Sequence, residues 1–510
     1  MFSLPRFAQA QVPDYANSKE KVYLQTNHVY FEPGDTIYYK AYVVDAQLNT
    51  PTLTSTILNV DIISPSGNVL SQLKHPINIG YSEGGYVFND SLPGGIYKIR
   101  AYTTWMQNEK DSTWFSKSIY VQRVTAPRIL ASLDFPEKGY RPGDTIKAKY
   151  AIRTLDNKPL AHYSGQFTVS LDGKQYKTDS FKTDTAGKTV IRAVLPMHLS
   201  SSDGLLNVTV IAGGFTESIS RSIPIELNNI DLQFMPEGGT LVAGLPTVLA
   251  FKAINEKGKP VDVKGVITDD KGHRIANFAS YHGGMGILPF TPAAGRKYTA
   301  NVGHQKYLLP PATESGMILN LLHRNGQLYA KITTTAAEDI TLTAAMREHV
   351  YYTTTASLNK GTQLIKIDTA DFPAGIVVFT LRNSRRLKVA ERVVFMNKHH
   401  ALKVSISTDK LSYLPREKVK MTITTTDADG QPIPSNLSLS VIDDKLWTMA
   451  DDKQDHIMSW LLMSSELRGK VEEPQFYFKK EEPKADSALD ILMMTQGYRY
   501  FAFTDIVNGG

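Results

Sequence analysis

The chain of 510 residues contains no cysteine. That removes disulfides, thiolate metal sites, a cysteine nucleophile and an internal thioester together. It does not identify a compartment, because exported bacterial proteins also avoid cysteine. No run reaches the ~18 apolar residues that a membrane-spanning helix requires. The 56 Lys and Arg exceed the 50 Asp and Glu by a net +6, a small excess over this length, and no basic block with interleaved aromatics is present. Nucleic acid is therefore not an expected partner. His-Glu-x-x-His, Gly-x-Ser-x-Gly and the phosphate-cradling Gly-x-x-x-x-Gly-Lys-Ser/Thr are all absent. The 12 histidines are scattered, and only His399-His400 are adjacent. Neighbours on a strand point to opposite faces, so that pair reads as a solvated linker. Asp443, Asp444, Asp451, Asp452 and Asp455 lack the alternate spacing of a calcium loop and read as a solvated acidic loop. No catalytic residue, metal site or cofactor is expected.

What the chain does hold is a recurring figure: strand, turn, strand. Val22 and Leu24 run into Glu32-Pro33-Gly34-Asp35, and Ile37, Tyr39, Ala41 and Val43 then share one face of a second strand. Leu133 and Phe135 lead into Arg141-Pro142-Gly143-Asp144, followed by Ile146, Ala148, Tyr150 and Ile152 alternating with Lys147, Lys149 and Arg153. Leu402, Val404 and Ile406 lead into Leu414-Pro415-Arg416-Glu417, followed by Val419, Met421 and Ile423. Proline presets φ and glycine takes the positive φ of a type II turn; Arg416 in place of glycine predicts type I at the third copy. One apolar face against one basic or hydroxylic face marks half-buried antiparallel strands. The predicted fold is all-β, a tandem array of about five antiparallel β-sandwiches with a short helical insertion in the last.

A charged hairpin tip recurs as Asp156-Asn157-Lys158-Pro159-Leu160, Glu256-Lys257-Gly258-Lys259-Pro260-Val261 and Asp429-Gly430-Gln431-Pro432-Ile433. The first two tips are one domain length apart. The predicted units are 20–124, 125–227, 228–310, 311–398 and 399–510, with Pro236, Gly238 and Gly239 in the turn that opens the third. After a strand over Leu437–Ile442, residues 443–497 form the insertion. Within it Ile457, Trp460, Leu461 and Ser464 share a helical face. Asp486-Ser487 caps a helix whose Leu489, Leu492 and Met493 turn inward and which Gly497 ends. A strand resumes at Tyr498–Phe503.

Residues 1–19 read as a leader. Ala8-Gln9-Ala10 has the small-x-small form of a signal-peptidase site, and Met1–Phe7 is too short for a whole signal, so the segment reads as the tail of one. Gln11 is not cysteine, which excludes lipid attachment there. The expected location is the periplasm or outer membrane, with protein partners in the cell envelope.

The turns at 31–36 and 140–145, together with Gln233-Phe234-Met235-Pro236-Glu237-Gly238-Gly239 and Asn436–Asp444, resemble the macroglobulin domains of the alpha-2-macroglobulin family. Leu489–Arg499 is similar to a segment of exported bacterial proteins in which such domains precede carboxypeptidase-regulatory-like and TonB-receptor plug-like domains. The resemblance implies a non-catalytic envelope scaffold or protein-binding array. An alternative it also implies is a thioester-free protease trap with a bait-like stretch at 443–483, cleavable at Lys453, Arg468, Lys470, Lys479 and Lys480. A further alternative is a carbohydrate-binding module, with Tyr38, Tyr39 and Tyr42 or Tyr97, Tyr102, Trp105 and Trp114 as the aromatic platform.

Overall fold

The computed structural model describes residues 19–65, 67–89, 92, 95–109, 113–121, 129–137, 139–172, 174–199, 202–212, 215–227, 229–256, 258–324, 327–399, 401–427, 429–442 and 454–498. The expected leader at 1–18 and the strand expected to continue from Tyr498 through 499–503 lie outside them. Among the described residues the structure is nearly all β, in mainly antiparallel sheets, with short parallel pairings of Tyr30–Phe31 with Tyr120–Val121 and of Leu241–Val242 with Ala312–Thr313. It divides into two compact units, one of residues 1–123, 234–251 and 264–510, the other of 124–233 and 252–263.

In the first unit, Glu20–Thr26, Thr36–Asp45 and Tyr81–Val87 form a three-stranded sheet, facing a five-stranded sheet built on Ile57–Ile63, Gly95–Thr103 and Phe115–Val121. Alternation puts Val22, Leu24, Ile37, Ala41 and Val43 on one face, and all are buried with Leu58, Val60, Tyr97 and Ile99 from the other sheet. Buried Glu20 sits at the end of this core, accepting hydrogen bonds from the hydroxyls of Thr52 (2.5 Å), Ser55 (2.6 Å) and Thr103 (2.6 Å). A second sandwich of the unit sets Met317–Arg324, Gln327–Thr334 and Gly361–Ile367 against His349–Leu358, Glu338–Met346, Gly375–Asn383 and Lys388–Met396. Its core is Leu328, Ile332, Leu342, Val377, Phe379 and Leu381. Between these in sequence, Lys264–Asp269 pairs with Arg274–Ala279 and Tyr298–Val302, and the rings of Phe234, Phe251 and Phe278 meet beside them in tilted and edge-on contacts of 5.1–5.8 Å.

The second unit holds the sandwich of Ile129–Asp134, Thr145–Thr154 and Lys188–Val194 against Lys174–Lys182, Ser164–Leu171, Gly204–Ala212 and Phe215–Ser222. Leu133, Ile146, Tyr150, Val169, Leu206 and Val208 fill it.

The recurring turn has one geometry in all three copies. The backbone N–H of its fourth residue donates to the carbonyl of its first at 3.0 Å in Glu32–Asp35, Arg141–Asp144 and Leu414–Glu417. The fourth residue's carboxylate accepts the first residue's N–H at 2.8 Å each time. This carboxylate clasp explains why the last place is acidic, and it holds Arg416 at φ 66, beside Gly34 at φ 94 and Gly143 at φ 84. The type I expectation for the third copy is therefore corrected: the carboxylate clasp and the backbone bond together carry arginine into the left-handed region. The charged tip also has a constant register. Pro159, Pro260 and Pro432 each form an isolated bridge with the residue that enters the tip, and so does Pro51, a fourth copy hidden by its longer loop.

The fifth unit shows, among the described residues, one hairpin of Lys403–Thr408 with Met421–Thr426. The strand expected at Leu437–Ile442 does not form. That stretch runs along the first sandwich instead, where Lys40 Nζ donates to the Leu437 carbonyl at 2.9 Å and Tyr42 to Ser438 Oγ at 3.2 Å, while Ser440 Oγ donates to the Asn27 carbonyl. Polar side chains on the exposed face of Thr36–Asp45 thus hold this stretch through its own polar groups, in place of a strand ladder.

Gly238 has φ 84, and a Cβ there would lie 2.8 Å from the Leu319 carbonyl oxygen. Gly244 has φ 75 with open space around it. Gly238→Ala is expected to destabilise by more than Gly244→Ala, whose cost is the ~1–3 kcal/mol of a strained backbone alone. Urea unfolding of the two variants checks the order.

Candidate functional site

Residues 454–498 form a strap within the first unit: Ile457–Ser459 continuing into a wider turn over Trp460–Ser464, a short helical turn at Pro474–Phe478, and the helix Ala485–Thr495. The apolar period of that helix buries Ala488, Leu489, Ile491, Leu492, Met493 and Met494, as the inward face Leu489, Leu492 and Met493 predicts. Asp486-Ser487 does not cap it. Lys484 is the N-cap with no side-chain bond, and Asp486 lies in the first turn, where its charge favours the helix dipole. Gly497 is needed for space, since a Cβ would sit 2.4 Å from the Met493 carbonyl oxygen and 3.1 Å from Val393.

The strap is not an insertion packed on its own hairpin. Its apolar residues join Ala250, Met285, Ile376 and Val393 in one core cluster, with Met463, Val471 and Tyr477. The Trp460 ring meets Phe115 edge-on at 5.2 Å, and its indole N–H donates to the Val22 carbonyl at 2.7 Å. Phe476 stacks on His282, ring centres 3.8 Å apart. Gln454 clasps both backbone groups of Ser118, at 2.8 and 3.0 Å, on a stretch of strand that Tyr30–Phe31 does not pair.

The charges follow one rule: the strap supplies acids and the sandwiches supply bases. Lys21 donates to Glu466 at 2.7 Å, and Arg347 approaches the same oxygen at 3.5 Å. Lys398 pairs with Asp486. Arg392, 4 % exposed, donates through Nη2 to Asp490 at 2.7 Å and through Nε to Glu237 at 2.8 Å. Glu237 also accepts from Asn320 Nδ2 at 2.6 Å. Burial acts to lower the pKa of Arg392, but Asp490 and Glu237 outweigh it and hold the guanidinium above its ordinary value. At Lys21 burial prevails over Glu466 and the pKa falls below the usual lysine range. Burial likewise lowers His456 and raises Tyr477.

Two quoted motifs therefore meet. Glu237 of Met235-Pro236-Glu237-Gly238-Gly239 and Asp490 of the terminal helix share Arg392, and Tyr498 OH donates to the Gly239 carbonyl at 2.9 Å. A cleft of about 260 Å³ opens beside them, lined by Glu237, Asn320, Lys331, Arg392, Asp490 and Met494 among others. Sequence reasoning missed Arg392. The signal was there: Glu391 and Arg392 interrupt the apolar run Val389–Met396 without the period of a half-exposed strand, and charges at such places are buried and paired.

Pro33, Gly34, Asp35, Pro142, Gly143, Asp144 and Pro415 lie in turns, while Pro236, Gly238 and Gly239 flank Glu237, the partner of Arg392. Of the bait candidates, Lys453 lies outside the described residues. Arg468, Lys470, Lys479 and Lys480 have exposed side chains, but Gln496 Nε2 holds the carbonyls of Arg468 and Lys470 at 3.0 Å each. Of the aromatic platform, Tyr39, Tyr97 and Tyr102 are core, Trp114 is stacked on Tyr102 at 4.0 Å, and Tyr38 and Trp105 are exposed. Among the described residues no group of three or more His, Asp or Glu is placed to hold a metal, and no helix is long and apolar enough to cross a membrane.

Fold and site define a class: a multidomain, nearly all-β protein of antiparallel sandwiches with a helical strap docked by apolar burial and by ion pairs. No family model matches the chain, and no curated protein matches it. Solved structures similar to it include native alpha-2-macroglobulin of Escherichia coli, at 13% identity over 84% of this chain and 32% of that one, TM-score 0.36. Salmonella alpha-2-macroglobulin reacted with methylamine is 12% identical over 85% of this chain and 33% of that one, TM-score 0.36. The BSP domain of a biofilm associated protein is 9% identical over 76% of this chain and 99% of that one, TM-score 0.26. The chain spans about a third of the length of the two macroglobulins. The class rests on the sheets themselves, not on these likenesses.

Arg392→Met leaves Glu237 buried without its counter-charge, which is expected to cost about 3–5 kcal/mol, while adding Glu237→Gln recovers part of the loss. Denaturant unfolding of the singles and the double checks this. Trypsin is expected to spare Arg468, Lys470, Lys479 and Lys480 in the folded protein and to cut there only under partly denaturing conditions, as read by mass spectrometry of the digest.

Proposed function

We propose that the chain is a non-catalytic, exported scaffold or protein-binding array of the bacterial cell envelope, the N-terminal part of a larger outer-membrane or TonB-receptor-associated protein. The observation that supports it is the use made of buried charge. Glu20 is held by three hydroxyls, one oxygen of Asp61 by Arg100 at 2.7 Å, and buried Arg392 by buried Glu237 and half-exposed Asp490. Each of these groups fixes strands, loops or the strap in place. Glu20, Glu237 and Arg392 have their hydrogen-bonding groups committed to positioning, whereas an acid–base catalyst keeps one side open to substrate. The export reading rests on Ala8-Gln9-Ala10, outside the described residues.

The purified chain is expected to retain defined proteins from envelope extracts and to turn over none of a panel of peptide, ester and glycoside substrates. Turnover abolished by a single carboxylate substitution overturns the reading. A protease nick within 443–483 followed by a large change in sedimentation points instead to a steric trap.

A further inference from the structure

The cleft beside Arg392 is assembled from three surfaces of the first unit. The outward face of Met317–Arg324 and Gln327–Thr334 supplies Asn320, Leu322 and Lys331, while Leu319, Leu328, Ala330 and Ile332 of the same strands turn the other way into the sandwich core. Val248 and Ile287 come from the strands Thr247–Asn255 and Met285–Phe290. Asp490 and Met494, four residues apart, share a face of the helix Ala485–Thr495. Val248, Ile287, Leu322 and Met494 make the walls apolar. The volume of about 260 Å³ falls below the ~300–1,000 Å³ of a site for a drug-sized ligand, so the occupant is small. The charged residues that line it are two acids, Glu237 and Asp490, and two bases, Lys331 and Arg392. A ligand that leaves no charge uncompensated therefore carries none in sum.

The polar residues of the cleft form one row. Lys331 stands directly opposite Asn320 across the two strands, where side chains on one face are neighbours. Asn320 Nδ2 donates to Glu237, Glu237 takes Nε of Arg392, and Nη2 of Arg392 goes to Asp490 Oδ1. In the middle of the row every heteroatom is spent. Both oxygens of Glu237 accept, and the third nitrogen of Arg392 donates to the Val393 carbonyl. Three groups are left over: the second oxygen of Asp490, Oδ1 of Asn320 and the ammonium of Lys331, none of which has a partner among the described residues. Asn320 is 5% exposed, and an amide oxygen so buried is costly to leave unpaired, a cost that a ligand donor recovers. Along the row the free groups run acceptor, acceptor, cationic donor.

We propose that this cleft is a binding site for a zwitterionic dipeptide with an aliphatic first residue. Its three polar groups follow the order of the row: the ammonium meets Asp490, the peptide N–H meets Asn320 Oδ1, and the carboxylate meets Lys331. The aliphatic side chain lies against Val248, Ile287 and Met494. A single α-amino acid carries both charges on one carbon and has no donor between them, so it leaves Asn320 unpaired. The site goes beyond the scaffold reading and does not depend on it.

The test titrates the full chain calorimetrically with leucyl-glycine and three blocked forms. These are the N-acetylated dipeptide, its C-terminal amide, and leucyl-sarcosine, whose N-methyl group removes the peptide N–H. Leucyl-glycine is expected to bind, and each blocked form to bind at least about tenfold more weakly, because each leaves one free group of the row unpaired. Lys331→Gln is expected to make leucyl-glycine and its amide bind alike. Ile287→Asp is expected to abolish binding of all four. Ile287 is 44% exposed and Lys331 is partly exposed, so both variants are expected to keep the unfolding transition of the unchanged chain. No binding of leucyl-glycine, equal binding of the four peptides, or a preference for the free carboxylate that survives Lys331→Gln overturns the proposal. Each of these results leaves the scaffold reading standing, since that reading fails on turnover and not on an empty cleft.

Discussion

Arg392 emerges from an apolar strand with 4 % of its side chain exposed and meets two carboxylates, one from a turn far earlier in the chain and one from a helix far later. A buried guanidinium is costly to desolvate, and its cost is recovered only where geometry and hydrogen bonding are both complete. Here Glu237 takes Nε, Asp490 takes Nη2 and the Val393 carbonyl takes Nη1. The requirement that all three be met fixes the register of the helix Ala485–Thr495 on the strand Lys388–Met396, and through Glu237 the position of Gly238 against Leu319. The backbone N–H of Glu391 donates to the Gly238 carbonyl at 3.0 Å on the same stretch. A hydrophobic contact alone would let the strap slide. The charges specify one seat.

The remaining strap contacts repeat that logic with smaller stakes. Glu466 and Asp486 find Lys21 and Lys398, so among the described residues the ion pairs that dock the strap run from its acids to bases on a sandwich. Such pairs add little net stability over apolar replacements, but leaving one partner unpaired is expensive, and wrong seatings do that. Apolar burial by Met463, Val471, Tyr477 and the helix supplies the driving force, and the pairs select the arrangement.

The sandwiches were legible in the sequence because their determinants are local. Alternation along Thr36–Asp45 and Thr145–Thr154 assigns faces, and Pro-Gly-Asp and Pro-Arg-Glu report turns whose hydrogen bonds close within four residues. The inward face of the helix Ala485–Thr495 was legible for the same reason. What failed is what depends on distant partners. Arg416 enters the left-handed region because Glu417 clasps Leu414, a context that propensity alone does not weigh. Leu437–Ile442 has strand composition, yet Lys40, Tyr42 and Asn27 of the first sandwich hold it extended without a ladder. The strap reads as a charged, turn-rich loop, since its seat is made by residues from many separate strands. Arg392 is the clearest case: its oddity inside an apolar run is visible, but not the two carboxylates that resolve it.

If apolar burial and ion pairing together make strap and sandwich one structure, they must open together. Native-state hydrogen exchange followed residue by residue tests this most directly. Amides of Ala485–Thr495 are expected to exchange with the same opening free energy as those of Gly375–Asn383, through a shared cooperative event. Helix amides that exchange through a separate, lower-energy opening while the strand remains protected would contradict it.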